Sequence, residues 1–258
     1  MVKKYLIGGL GFAFDGCNCD FPGELELFRD DNISADYFIN VSHSERMPCG
    51  GTVYRHERSE RPIMSVAENG AEIFVTVSTE YPECFGLRLL LEILRLPSRI
   101  IEHGGIILHA SFVCHRGGAI LFTGPKQSGK STQAALWHDL RGSVTVNGDR
   151  ALIKKTNGVW TAFGSPYSGT SGISLNMSCP IKCIVSVVKS QQNNCLRAGP
   201  QSAFKALLEG CTYDTENEKE TAAAIDVMSV IANETDFYEL RCRPDAGSVE
   251  ALERMIYW

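Results

Sequence analysis

Lys130 and Ser131 are the residues whose types and spacing most directly imply chemistry. They close the run Gly124, Pro125, Lys126, Gln127, Ser128, Gly129, Lys130, Ser131, which satisfies the pattern G-x-x-x-x-G-K-[ST]. The glycines let backbone N–H groups turn inward around an anion, in a concavity of positive potential. The Lys130 ammonium adds a full charge at the β- and γ-phosphates, and the Ser131 hydroxyl is placed to ligate Mg²⁺. Gly124 through Thr132 are therefore the expected phosphate contacts, and ATP and Mg²⁺ the expected cofactors.

A phosphate loop alone implies only that a nucleotide binds; a nearby carboxylate decides what happens to it. Asp149 ends the run Ser143 to Asp149, one helix after Lys130. A strand returning beside the loop would bring it to the γ-phosphate, as a ligand to Mg²⁺ or as acceptor of a proton from an attacking hydroxyl. The competing reading is a turn aspartate favoured by Asn147-Gly148. Arg150 either touches phosphate or is an exposed arginine. His109 follows the apolar run Ile106 to Leu108 and sits at a strand end, where a lone histidine is functional or structural. His115, before Gly117-Gly118, is expected to be exposed, and His138 lies too far along the following helix to reach phosphate.

The flanks supply the order this chemistry needs. Ala119 to Thr123 is an apolar, β-prone run suited to a buried strand. Thr132 to Leu140 follows as a helix with its N-terminus toward the anion. Strands are also expected at Ile106 to Leu108, Phe112 to Cys114, Ser143 to Val146 and Pro180 to Val188. A hairpin is expected for Arg150 to Lys154 and Val159 to Phe163 around Asn157-Gly158, and a late strand at Tyr238 to Cys242. Helices are expected at Gln201 to Glu209, Glu218 to Asn233 and Ser248 to Ile256, the last with Ser248 as N-cap. The Gly/Ser stretch Gly164 to Gly172 follows the Asp149 strand by one hairpin and is expected to close over an acceptor.

Up to about Thr79 the chain reads as antiparallel β. A first strand lies in Tyr5 to Phe14, with further strands at Asp36 to Val41 and Gly51 to His56. Ile63 to Val66 and Ala71 to Val77 flank the hairpin signal Asn69-Gly70. The Glu57 to Arg61 charge run reads as a solvated turn. Phe85 to Leu96 is helical, with a second helix from Pro97 to Glu102. One composite domain is expected, a β-rich region with a helix (residues 1–104) packed on a nucleotide-binding core (residues 105–258).

The segment Leu108-His109-Ala110-Ser111, then Gly118 to Ser131, then Gly148-Asp149-Arg150 resembles the catalytic domain of HPr kinase/phosphorylase, over Ile107 to about Ala151. That family is a serine kinase whose fold is related to the nucleotide-binding part of phosphoenolpyruvate carboxykinase. The resemblance implies a mixed α/β fold with a P-loop core of that type, a mostly antiparallel N-terminal β region and C-terminal helices. It sets His109 on the histidine near the transferred phosphate and Asp149 on the aspartate acting as general base. The departures are specific. The first aspartate of the family's pair is Gly148 here, the acidic residue after its lysine-serine is Thr132, and its arginine-glycine signature is not visible after Asp149. HPr is therefore not the expected acceptor.

Bulk properties restrict the alternatives. The 258 residues are 44% hydrophobic and 21% charged, ordinary globular composition with ample core material. With 25 Lys and Arg against 30 Asp and Glu the net charge is −5, so no general pull toward nucleic acid or anionic lipid is expected. Ten cysteines are present, yet Cys17-x-Cys19 and the Cys179 to Cys183 pair lack partners with metal-site spacing, so scattered reduced thiols are expected. Lys3, Lys4 and the apolar stretch after them imitate a signal peptide without its cleavage pattern. A cytoplasmic location is expected, with no membrane span and no nucleic-acid partner; a homo-oligomer is compatible with the sequence.

The leading expectation is an ATP- and Mg²⁺-dependent kinase. Lys130 and the loop hold the phosphates, Ser131 and Asp149 stand on the metal side, Asp149 deprotonates the acceptor, and His109 assists. The acceptor is a serine of a protein or peptide, or a small-metabolite hydroxyl. The alternative is a regulatory nucleotide-binding module with little or no phosphotransfer, which Gly148 favours. No LSGGQ-like signature supports a transport ATPase.

Overall fold

The computed structural model describes residues 2–16, 21–47, 50–55, 60–80 and 87–257. Cys17 and Cys19, most of the Glu57 to Arg61 run and the start of the helix expected from Phe85 lie outside them. The chain is mixed α/β and divides into two compact units, Met1–Arg95 and Leu96–Trp258. No helix among the described residues is long and apolar enough to cross a membrane.

The first unit carries β1 (Lys3–Ile7), β2 (Leu10–Asp15), α1 (Gly23–Glu26), β3 (Tyr37–Ser44), β4 (Thr52–Arg55), β5 (Pro62–Asn69), β6 (Glu72–Ser78) and α2 (Leu87–Leu94). The single strand expected in Tyr5 to Phe14 is a hairpin, turned at Gly8 and Gly9, both with positive φ. The sheet order is β1-β2-β3-β6-β5-β4. The all-antiparallel expectation fails at β3, which pairs parallel with both β2 and β6. The long connection through α1 lets β3 start from the same end as β2, the crossover that parallel pairing requires. Tyr5 meets Phe14 and Phe21 edge to face in the core of this unit, and the two phenylalanines pack tilted on each other.

The second unit begins with α3 (Leu96–Glu102), which packs on β7 (Gly105–His115) and so belongs with the core that follows. Then come β8 (Gly118–Thr123), α4 (Lys130–Arg141), β9 (Val144–Asn147), β10 (Arg150–Thr156), β11 (Val159–Phe163), β12 (Ser178–Lys189) and β13 (Asn194–Arg197). The unit closes with α5 (Pro200–Gly210), β14 (Cys211–Thr212), α6 (Glu218–Glu234), β15 (Phe237–Cys242) and α7 (Ala246–Tyr257). The strands join in the order β11-β10-β7-β8-β12-β15-β13, with β9 and β14 on β7. β8, β12 and β15 run parallel, so their C-terminal ends open on the same side.

Alternation along the strands splits the core into two faces. Phe112, Leu121 and Ile184 point toward Ile101 of α3, Leu207 of α5 and Met228 and Ile231 of α6. Val113, Ile120, Phe122 and Val185 point toward Trp137 of α4 and Val249, Leu252 and Ile256 of α7. A sheet covered on both faces requires strands apolar on both faces, which is why Ala119 to Thr123 shows no alternation in the sequence. Cys179 and Cys183 illustrate the same rule through its exception. A register shift on β12 between Ile181 and Cys183 turns them to opposite faces, so this pair cannot share a metal. Burial pushes the Cys179 thiol up to about 12 and raises that of Cys183 as well.

Two local expectations are corrected. His115 is buried, not exposed: Arg116 and Gly117 make the turn with positive φ, leaving His115 inside β7 against Trp137, with Nδ1 2.9 Å from Ser143 Oγ. Ser248 is not an N-cap. α7 starts at Ala246, and the buried Ser248 hydroxyl donates to Asp245 O at 2.7 Å and accepts from Gln133 Nε2 at 2.9 Å.

Trp137 anchors α4, and hence the loop before it, to the sheet. It is fully buried, and its Nε1–H has no partner among the described residues. Trp137→Ala is expected to cost roughly 3–5 kcal/mol in urea unfolding through the cavity it leaves. Trp137→Phe, which removes an unpaired donor, is expected to cost far less. Equal losses for the two variants would show that packing at this site does not hold α4.

Candidate functional site

The site forms where β7 changes neighbours. Its C-terminal half lies between β8 and β9, its N-terminal half between β14 and β10. At the crossover β8 ends at Thr123 and the chain leaves the sheet as the Gly124–Ser131 loop, while the opposite edge carries Gly148 and Asp149. The expected pair of short strands, Ile106 to Leu108 and Phe112 to Cys114, is one continuous strand. His109 therefore lies in the middle of β7, at this crossover, rather than at a strand end.

The loop has the backbone a phosphate cradle needs. Gly124 and Gly129 have φ of 136 and 114, a region L side chains avoid, and Gln127 is left-handed at 64. A Cβ on Gly124 would meet Ser128 Oγ at 3.0 Å and Val187 O at 3.1 Å. Lys130 opens α4 and folds back, its Nζ donating to Gly124 O at 2.8 Å and Pro125 O at 3.1 Å. Ser128 Oγ is buried without a partner among the described residues. Lys126 lines a cavity with His109 and Arg150, Thr132 lines a different one, and Ser131 borders a third cleft with Gly148 and Ser171.

Asp149 reaches the loop because of Asn147. The ladder on β7 slips by one residue between Val113–Thr145 and Phe112–Asn147, a bulge at Val146. The fully buried Asn147 side chain then takes over: its Oδ1 accepts from the backbone N–H of Asp149 at 2.9 Å and of Arg150 at 2.8 Å. This Asx-type turn bends the chain out of the extended ladder. Asn147 Nδ2 donates to Ser165 O at 2.8 Å, Ser165 Oγ donates to Arg150 O at 2.7 Å, and Ser174 Oγ donates to Ser165 O at 2.7 Å. The organising roles of Asn147 and Ser174 were missed by sequence reasoning, the signal at Asn147 being an Asn-Gly pair that reads as an ordinary turn; Ser165, expected among the hydroxyls closing over an acceptor, is instead buried on Arg150 O.

The result is a compact charged cluster. Asp149 Oδ1 lies 3.5 Å from His109 Nδ1, and its Oδ2 3.4 Å from Arg150 Nε. Arg150 is neither loose nor fully exposed. Its Nη1 donates to Thr212 Oγ1 at 2.6 Å, and its guanidinium lies 5.2 Å from the Tyr167 ring centre. Burial lowers the His109 pKa below 6.5, the Lys130 charge lowers it further, and Asp149 opposes both. Burial also lowers the Lys130 pKa, with Asp149 again opposing. His138 Nδ1 lies 2.8 Å from Ser143 O, and the residue lines the cleft that Ser131 and Gly148 border.

The Gly164 to Gly172 stretch folds onto this cluster. Its one regular element is a single 3₁₀ turn, Gly169–Ser171. A Cβ on Gly169 would meet Asp149 Cγ at 2.6 Å, and one on Gly148 would meet Ser171 Oγ at 2.0 Å. Glycine is thus required at both positions for the loop to lie where it does.

No protein-family model matches the chain, and no curated protein does. Among solved structures it is similar to the Hpr(Ser) kinase/phosphatase from Coxiella burnetii, at 14% identity over 58% of this chain and 87% of that one, with a TM-score of 0.36.

Two measurements follow from this geometry. The folded His109 binds protons more weakly than the unfolded one, so its contribution to stability is complete above about pH 6.5 and is lost as pH falls through the lowered midpoint. The ring, followed by ¹⁵N NMR, is expected to titrate below 6.5. Lys130→Met should raise the midpoint and Asp149→Asn should lower it. A midpoint at or above 6.5 would mean that burial and Lys130 do not dominate the site.

Asn147→Ala is expected to destabilise the chain by about 2 kcal/mol or more, because it strands two backbone donors and leaves Ser165 O with its Ser174 bond alone. It should also accelerate hydrogen exchange at the amides of Asp149 and Arg150. Unchanged exchange at those two amides would remove Asn147 from its organising role.

Proposed function

We propose that this chain is an ATP- and Mg²⁺-dependent phosphotransferase that moves a γ-phosphate to a hydroxyl, on a P-loop core of the HPr kinase type. One observation carries the reading. The lysine of the Gly124–Ser131 loop shares an electrostatic cluster with His109 and Asp149, and Asp149 is held at 3.5 Å from His109 and 3.4 Å from Arg150.

The residues present fit the nucleotide. The Gly124 and Gly129 backbone, the orphaned Ser128 hydroxyl and the buried Lys130 ammonium suit phosphate oxygens. Mg²⁺ is reluctant to shed its waters and is held by one or two protein oxygens plus phosphates. Ser131 and Asp149 would supply those oxygens, and the ion would neutralise charge on the transferring group. The absence of a cluster of three or more His, Cys, Asp or Glu among the described residues is compatible with so few protein ligands.

The chain's own groups have separable tasks. Asp149 accepts the proton of the incoming hydroxyl, and Arg150, tied to Thr212, fixes the orientation of that carboxylate. Lys130 exchanges its two loop carbonyls for phosphate oxygens when the nucleotide enters. His109, neutral at neutral pH, offers a hydrogen bond to the transferring phosphoryl group without adding a competing charge. A cavity of about 530 Å³ opens on His109 and Arg150 and provides the acceptor's approach. The acceptor is a protein or peptide serine or a small-molecule hydroxyl.

A second reading, a nucleotide-binding regulatory module, is favoured by one observation: position 148 carries no carboxylate and has no room for one while Ser171 stands beside it. The two separate experimentally. Lys130→Ala is expected to abolish or sharply weaken Mg-ATP binding in calorimetry, since it deletes the buried one of the loop's two ammonium charges, the other being Lys126. Asp149→Asn should bind Mg-ATP and lose γ-phosphate transfer by roughly 10²-fold or more across a panel of peptides and small alcohols. Intact ATP affinity in Lys130→Ala would sink the phosphate-loop reading. Wild-type binding with no transfer to any acceptor would favour the regulatory module.

A further inference from the structure

Two thiols meet in the core of the second unit. Cys179 of β12 donates through its S–H to the Cys114 sulfur of β7 at 2.6 Å. Unbonded carbon atoms pack at roughly 3.5–4.0 Å, and sulfur is the larger atom. A covalent S–S bond is about 2.0 Å long, so these sulfurs are nearer to bonding distance than to ordinary contact.

Strand pairing brings β7 and β12 together here, although they are not neighbours in the sheet. β12 pairs with β8 from Ile181 onward and with β11 through Ser178, Cys179 and Pro180. β11 leads back through β10 to β7, so the five strands close on themselves. Cys114 and Cys179 share the face covered by α3, α5 and α6. The cross-strand partner of Cys114 on β8 is Ala119, and that of Cys179 on β11 is Ala162. Partners this small leave room for the sulfurs. The other described cysteines are kept apart from the pair. Cys183, Cys195 and Cys242 lie on the opposite face. Cys211 pairs with Leu108, which lies about 20 Å along β7 from Cys114 at the rise of a strand.

We infer that Cys114 and Cys179 are a redox modification site, a thiol pair that the fold places to form a disulfide with a low-molecular-weight disulfide such as oxidised glutathione. One thiolate of the pair attacks the reagent, a first reagent thiol leaves, and the partner sulfur displaces the second. Both S–H bonds are lost and one S–S bond forms, while the protons and the electron pair end on the two released thiols. Burial limits the rate. Cys179 is 3% and Cys114 9% exposed, and burial holds the Cys179 thiol protonated, its pKa pushed up to about 12. The bond therefore forms as the chain folds or opens locally, not by attack on the closed native state. The loop it closes contains Lys130, Asn147, Asp149 and the Gly164 to Gly172 stretch, so oxidation ties together the elements that build the candidate site. This chemistry is independent of what the phosphate-type loop binds.

The test refolds the full chain from urea in a buffer of reduced and oxidised glutathione, so that burial cannot block the reaction. Disulfides are then mapped by mass spectrometry of alkylated peptides. The Cys114–Cys179 link is expected to exceed any other cysteine pair roughly tenfold or more, because the fold holds these sulfurs at high effective concentration. The linked protein is expected to unfold at a urea concentration higher by about 1 M or more than its reduced form, since the closed loop restricts the unfolded chain. Cys114→Ala and Cys179→Ala should each lose that shift between oxidising and reducing buffers. The comparison is made within one sequence, so a destabilised variant still reports, and the wild type decides alone if a variant does not fold. A wild type that stays reduced at both cysteines, linkage of either to a different cysteine, or one urea midpoint with and without the link would overturn the inference.

Discussion

The site depends on one buried amide. Asn147 accepts from two successive backbone donors and gives its own N–H to Ser165, so one side chain bends the Asp149 strand and holds the start of the Gly164 to Gly172 loop against it. An apolar residue in this place would leave those donors unpaired inside the fold, and a longer polar residue would not match the spacing of consecutive N–H groups. Each member of the network is satisfied: Ser165 bonds Arg150 O, and Ser174 bonds Ser165 O. Such closed polar networks hold a single geometry, because every alternative strands a group.

That geometry sets the balance of charge. Arg150 Nε lies 3.4 Å from Asp149 Oδ2, and burial and the Lys130 charge both lower the His109 pKa. The cluster sets two cations, Lys130 and Arg150, against one carboxylate, a local surplus of positive charge. This is the sign needed to draw in a polyanion, in a protein whose overall charge of −5 would otherwise repel it. Attraction is therefore local, built by fold rather than composition. Lys130, satisfied by its own loop carbonyls, has its buried charge paired.

Legibility in the sequence followed the range of the interactions. The loop and its flanking strand and helix were readable because their determinants are contiguous: glycines where φ is positive, an apolar run before, helix formers after. The Asn157-Gly158 hairpin was readable for the same reason, both residues being left-handed in the turn. What escaped depends on partners distant in sequence. Ile106 to Leu108 and Phe112 to Cys114 read as two strands because His109, Ala110 and Ser111 break the apolar run. β7 is continuous since its pairing passes without a gap from Arg150 of β10 at His109 to Thr123 and Phe122 of β8 at Ala110 and Ser111. His115 looked exposed beside glycines, but Trp137 from α4 covers it. Ser248 looked like a cap because its partner Gln133 lies far away in the chain. The parallel pairings of β3 had no local signal at all, since strand direction is fixed by the path of the connection and not by the strand.

Gly148 shows how local and distant readings combine. From sequence it is a missing carboxylate; from structure it is a space already taken, because a Cβ there would lie 2.0 Å from Ser171 Oγ. Gly169 obeys the same constraint against Asp149. The two glycines and the loop form one unit: a side chain at 148 would drive Ser171 away, and with it the 3₁₀ turn that covers Asp149. A second acid and a closely fitted loop are therefore alternatives at this position, and this chain has the loop. The cleft beside Ser131 is consequently walled at Gly148 by Ser111 and Ser171, its carboxylate being Asp139 farther along α4. Hydroxyls can still bind the waters of a hydrated cation but add no charge to hold it. On the proposed reading Asp149 would serve the metal side as well as face the acceptor, so its fixed placement by Asn147, Arg150 and Gly169 would matter more here than beside a second carboxylate.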